Sequence, residues 1–150
     1  MNNGNHSIYH DNTAHGDDAF LIRELGPNSV LDVVLDGLSE DNGGNKASLL
    51  TAEKLKHDSI SNINDVGDIL DKANNELYVN SDGKAKTTVT AALKIGDQLY
   101  ILNVGDSPAY LIRGKEIIEL ATLDKSPLSK SAVTHCVGEV DFFRYHLRQV

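Results

Sequence analysis

One cysteine, Cys136, is all that the 150 residues contain. A lone thiol forms neither an internal disulfide nor a thiolate zinc cluster, so the cytoplasm is the expected compartment. A small buried hydrophobe is the expected role for that thiol. No apolar run approaches the roughly 20 residues of a membrane span. The start, Met1-Asn2-Asn3-Gly4-Asn5, lacks the basic end and apolar core of a secretory signal. Positive charge is also short: Lys and Arg number 14 against 22 Asp and Glu, a formal net charge of -8. That balance disfavours nucleic acid and anionic membranes as partners. With 40% hydrophobic residues, the chain has enough apolar material for about one globular domain.

The stretch Ser29-Val30-Leu31-Asp32-Val33-Val34-Leu35-Asp36-Gly37 is a run of strand formers ending in an acid and a glycine. The run Val33-Val34-Leu35 is expected to be a strand buried on both faces. An acid at the end of such a strand has a rigid support, and the glycine lets backbone come close to whatever the acid holds. Carboxylate and carbonyl oxygens of this kind suit a hard cation. An ordinary Asp-Gly turn would read the same way in isolation. Upstream, Asp17-Asp18 precedes the apolar Ala19-Phe20-Leu21-Ile22, and Gly26-Pro27-Asn28 breaks that segment. A hairpin of the two strands would put Asp17, Asp18 and Asp36 at one end of a sheet. No i,i+4 pair among His6, His10 and His15 sits in a helical pattern, so these histidines are expected to be solvated or at a strand edge.

Downstream, a helix is expected from about Asn45 through Lys56, with Ala47, Leu50, the Lys54 stem and Leu55 near one face. Val66, Ile69, Leu70, Ala73 and Leu77 form the apolar stripe of a second helix. Asn64 is expected to cap it, with Asp65 and Asp68 in the first turn as solvated caps. Then come strands. Thr87-Thr88-Val89-Thr90-Ala91-Ala92-Leu93-Lys94-Ile95 turns at Gly96-Asp97 into Gln98-Leu99-Tyr100-Ile101-Leu102-Asn103-Val104. Gly105-Asp106-Ser107 repeats the pattern of an acid delivered by a strand end. Ala109–Arg113 and Glu116–Leu120, joined at Gly114-Lys115, are expected to continue an antiparallel meander. Strands, then helices, then strands argue for an α+β fold.

In this order the motifs resemble the type 2C metal-dependent protein serine/threonine phosphatases, especially the bacterial ones. The matching residues are Asp17-Asp18-Ala19-Phe20, Val33–Gly37, Gly43-Gly44, Ala47-Ser48, Thr87-Thr88, and Leu99–Ser107 with Ala109-Tyr110-Leu111. The resemblance implies an αββα sandwich, two antiparallel sheets flanked by helices. Residues 1–14 would be a polar segment or first strand, and residues 15–150 the N-terminal part of the domain. It also implies a site holding two, or with a further ligand three, Mn²⁺ or Mg²⁺ ions at one end of the sheets. Asp36 would bridge two ions and the Gly37 carbonyl would bind one. Asp17 stands where the family has a metal-contacting Glu, Asp18 at the neighbouring acid, and Asp106 at the acid supporting a third ion. The implied reaction is hydrolysis of phosphoserine or phosphothreonine by metal-activated water. The implied partners are phosphorylated proteins, with a serine/threonine kinase acting on the same targets.

The sequence departs from that pattern in several places. Asp11-Asn12-Thr13-Ala14 lacks the phosphate-gripping arginine. Ser39-Glu40 replaces two glycines, and Pro108 replaces the arginine after Gly-Asp-Ser. The family's later Ser-Asp-Gly strand end and final metal-binding Asp have no counterpart, and nothing assigns Asp124, Glu139 or Asp141 to the site. Two functional readings follow: a phosphatase domain, or a phosphatase-like binding or regulatory module with impaired catalysis. An unrelated acidic α+β domain is the third possibility.

Overall fold

The computed structural model describes residues 7–10, 17–38, 43–121, 135–139 and 145–150. His6, His15, the Asp11–Ala14 stretch, Ser39-Glu40, Asp124 and Asp141 lie outside the described residues. Strands β1 (Ala19–Gly26) and β2 (Ser29–Leu35) form a hairpin turned at Pro27-Asn28. The short β3 (Gly37–Leu38) leads to helices α1 (Gly43–His57) and α2 (Ile63–Ser81). Then follow β4 (Lys86–Thr87), β5 (Val89–Ile95), β6 (Gln98–Val104), β7 (Tyr110–Arg113), β8 (Glu116–Glu119) and β9 (His146–Gln149). The main sheet has five strands in the order β1-β2-β5-β6-β9, and each neighbouring pair is antiparallel. The α+β expectation is met.

One sheet face carries the core. Leu31, Val33 and Leu35 of β2, Val89, Ala91 and Leu93 of β5, and Leu102 and Val104 of β6 pack against Leu55 of α1 and Val66, Ile69 and Leu70 of α2. The period-two alternation of the strands and the 3.6-residue stripe of α2 therefore meet in one apolar layer. The other face meets the β7–β8 hairpin through Ile101, Leu120 and Ala121, with Leu111 and Ile118. Val34 corrects the expectation that β2 is buried on both faces, because it is 56% exposed. It points away from the helices, where the β7–β8 layer does not reach.

The meander also ends earlier than expected. β7 pairs with β8 in a separate two-stranded sheet, and β6 takes β9 as its second neighbour. The chain leaves the main sheet at Gly105, whose φ of +97° suits glycine. Pro108, lacking an N–H, cannot resume a ladder.

The cap of α2 is another correction. It is Asn62, extended at φ -155°, and Asn64 lies inside the helix. The Asn64 N–H donates to Asn62 Oδ1 at 2.8 Å, and the Asn62 N–H donates to Asp65 Oδ2 at 3.1 Å. This reciprocal box makes Asp65 a cap, as expected. Asn62→Ala should cost about 1 kcal/mol, a fall of ~2–4 °C in melting temperature by calorimetry. The two helices are also joined by Lys54 Nζ to Glu76 Oε2 at 2.6 Å. At the end of α1, hydrogen bonds from Lys56 and then His57 hold the fully exposed Glu53 carboxyl below the usual carboxylate range. Cys136 is buried as expected, with its Sγ donating to Glu139 Oε1 at 3.2 Å.

Candidate metal centre at the sheet end

The register decides which acids share an end of the sheet. Ala19 pairs with Leu35, so Asp18 and Asp36 are each one step beyond that last pair. On the other side, Val34 pairs with Thr90, and the Thr88 N–H donates to the Asp36 carbonyl at 2.8 Å. Val89 pairs with Val104, which places Gly105 and Asp106 just past the same edge. Asp17, Asp18, Asp36, Gly37 and Asp106 thus all belong to one end of the sheet. With strands about 4.8 Å apart, β2 and β6 stand roughly 10 Å from each other there, separated by β5.

Helix α1 closes this end from the core side. Ser48, fully buried, donates from Oγ to the Asp17 carbonyl at 2.6 Å. Asp17 itself is 4% exposed. Gly37 and Gly44 touch back to back: a Cβ on Gly37 would lie 2.5 Å from the Gly44 carbonyl, and one on Gly44 would lie 2.6 Å from the Gly37 carbonyl carbon. Two residues without side chains are what allow the first turn of α1 to reach β3. That turn presents the positive end of the helix dipole, which offsets repulsion among the clustered acids.

Threonines hold the two acid-bearing segments. Thr87 Oγ1 donates to the Asp36 carbonyl at 3.0 Å, and the Asp36 N–H donates to Thr88 Oγ1 at 3.2 Å. Thr88 Oγ1 and Ser107 Oγ share a hydrogen bond of 2.7 Å. Sequence reasoning assigned no role to Thr88, Thr90, Ser107 or Ser48. Thr87-Thr88 and Ala47-Ser48 were visible as motifs, and the threonine run was read only as strand-forming composition.

The donors fit a divalent ion in kind, since carboxylates and a peptide carbonyl are the hard oxygens that Mg²⁺ and Mn²⁺ take. They fall short in number. Among the described residues no three acidic, histidine or cysteine side chains converge closely enough to hold an ion. A groove of about 520 Å³ lies on the open face of β1 and β2 rather than among these acids. Phe20, Val34, Thr90, Pro108 and Tyr110 line it, with Asp32 as its acid. His10 stands there edge-on to Phe20, with ring centroids 5.6 Å apart.

Comparison with known proteins agrees with this fold. The profile of protein phosphatase 2C matches residues 31–131. A variant of a bacterial serine phosphatase superposes with a TM-score of 0.75 at 24% identity, over 89% of this chain and 63% of its own. The serine/threonine phosphatase PstP/Ppp of Mycobacterium tuberculosis gives 0.71 at 20% identity, over 91% and 68%. A serine/threonine phosphatase of Staphylococcus aureus gives 0.76 at 21%, over 89% and 64%. The chain therefore spans somewhat under two thirds of the length of several phosphatases it superposes on. No curated protein sequence gives a significant match.

Proposed function

Because the chain belongs to the protein phosphatase 2C family, we propose that it supplies part of the metal centre of a phosphoprotein phosphatase. The observation that carries this reading is the placement of Asp17, Asp18, Asp36 and the Gly105–Ser107 turn at one and the same sheet end. Asp36 and the Gly37 carbonyl are the central ligands. Asp17 and Asp18 serve from the residues just ahead of β1, and Asp106 serves a further ion. Residues 15–150 then form the N-terminal part of the domain.

Bound Mn²⁺ or Mg²⁺ supplies an activated water and neutralises charge on a phosphoryl group. The chain's own work is to hold the acids. Ser48 fixes Asp17 by its carbonyl, and Thr87 and Thr88 fix Asp36 by its main chain. The positive end of α1 favours the anionic side of the reaction. The substrate class is phosphoserine or phosphothreonine in proteins, and a kinase with the same targets is the opposing partner. A cytoplasmic setting suits that role, and among the described residues no helix is long and apolar enough to cross a membrane.

Hydrolysis of a phosphoserine peptide and of an aryl phosphate should be dependent on Mn²⁺ and lost on chelation. A protein that binds Mn²⁺ tightly and hydrolyses neither refutes the enzymatic reading. The absence of a three-ligand cluster among the described residues favours one alternative, a phosphatase-like binding or regulatory module. That module predicts Mn²⁺ binding no tighter than millimolar, with the phosphatase fold retained.

A further inference from the structure

The antiparallel ladder fixes β2 to β5 only as far as Val34 and Thr90, and β5 to β6 only as far as Val89 and Val104. Asp36 is two residues past the first pair and is still held by the main-chain bond from the Thr88 N–H to its carbonyl at 2.8 Å, whereas Asp106 is two residues past the second. Resting on the metal-centre reading above, we propose that Thr88 and Thr90, together with Asn103, are positioning residues that set the distance between Asp36 and Asp106.

β5 carries no acid at this end, yet it lies between the two strands that do. Its side chains add to the main-chain bond at Asp36 and carry the link on to the turn that holds Asp106. Thr88 is fully buried, so its hydroxyl needs partners. Both partners belong to the acid-bearing segments: the Asp36 N–H at 3.2 Å and Ser107 Oγ at 2.7 Å. Two further bonds hold the turn around Asp106. Thr90 Oγ1 donates to the Ser107 carbonyl at 2.5 Å, and Asn103 Nδ2 donates to the same carbonyl at 3.0 Å. Asn103 Nδ2 also donates to Thr90 Oγ1 at 2.9 Å, and Asn103 is 1% exposed.

Thr88 uses both branches of its side chain. A Cβ on Gly105 would lie 2.8 Å from Thr88 Cγ2. The methyl therefore packs against the residue before Asp106 while the hydroxyl bridges to Asp36. Threonine combines the two, whereas valine lacks the hydroxyl and serine the methyl. A strand chosen only for β-propensity would have no need of the hydroxyl.

The test compares Thr88→Val with Thr88→Ser in the protein, using amide hydrogen exchange, amide chemical shifts and Mn²⁺ titration. Thr88→Val should speed exchange at the Asp36 amide about tenfold and weaken Mn²⁺ about tenfold, the effect of one lost hydrogen bond. It should also shift the Asp106 and Ser107 amides while leaving exchange at Leu31 and Leu102 unchanged. Thr88→Ser should restore both the exchange rate and the affinity to within about threefold of the parent. Thr90→Val should shift the Ser107 amide and leave exchange at Asp36 alone. The proposal is overturned if Thr88→Ser behaves like Thr88→Val, or if Thr88→Val disturbs only one of the two strand ends. A parent protein without Mn²⁺ affinity would defeat the metal-centre reading. The exchange and shift measurements would still decide whether Thr88 links the two strand ends.

Discussion

Gly37→Ala should destabilise the protein by about 3 kcal/mol, lowering its melting temperature by ~6–12 °C. The three atoms nearest the added Cβ would all be backbone: the Asp17 carbonyl oxygen, and the Gly44 carbonyl carbon and oxygen at 2.5 Å. None of these three can swing aside as the end of a flexible side chain would. Relief requires moving the first turn of α1 away from β3, which pulls Ser48 from the Asp17 carbonyl. The loss is a large part of the ~5–15 kcal/mol that stabilises an ordinary domain. Gly44→Ala should cost a similar amount. The double variant should cost less than the sum, because both methyl groups force open the same gap. Gly26→Ala is the control. Nothing lies within 4 Å of its Cβ position, and its effect should stay within ~0.5 kcal/mol. Calorimetric melts of the four proteins check all of these values.

Asp36→Asn should leave the fold intact and reduce Mn²⁺ affinity by at least about a hundredfold, more than loss of an outer-shell partner usually costs. The structure separates the two effects. Thr87 and Thr88 grip Asp36 by its carbonyl and N–H, which asparagine retains. What changes is a carboxylate charge, and ligand charge governs the affinity of hard cations. The melting temperature of the metal-free protein should therefore hold while calorimetric titration with Mn²⁺ loses its signal. Asp106→Asn should weaken binding by a smaller factor, about tenfold, because the proposed function gives it a further ion and leaves the central one to Asp36. Equal affinities for the parent and Asp36→Asn would remove Asp36 from the centre.

Local patterns were readable wherever a short-range rule governs the outcome. Pro27-Asn28 and Gly96-Asp97 turn their hairpins as their residue types require; the first sets the Gly26–Ser29 pair, and a register shift between Glu24 and Gly26 then gives the Ala19–Leu35 pair. That register was enough to place Asp17, Asp18 and Asp36 together. The stripe from Val66 to Leu77 marked the buried face of α2 for the same reason. Outcomes decided by distant partners were not readable. Val34 looked like core because strand formers surrounded it, but its exposure depends on how far the β7–β8 layer extends. Pairing of β6 with β9 joins residues more than 40 positions apart, a choice no local pattern encodes. Asn62 and Asn64 are both good caps by type, and the backbone's entry angle chose between them. Thr88 is the clearest case: its composition announced a strand, whereas its hydroxyl bridges segments 52 and 19 residues away.

The most direct measurement is the pattern of amide broadening as Mn²⁺ is added to the isotopically labelled protein. An ion held by the strand ends should broaden Asp18, Gly37, Gly105 and Asp106 first and leave the far end of α1 sharp. That far end, about 21 Å along the helix axis, has its own acids, Asp58, Asp65 and Asp68. Broadening that starts among those three, or that spreads evenly over the acidic surface, would contradict a metal centre built at the sheet end.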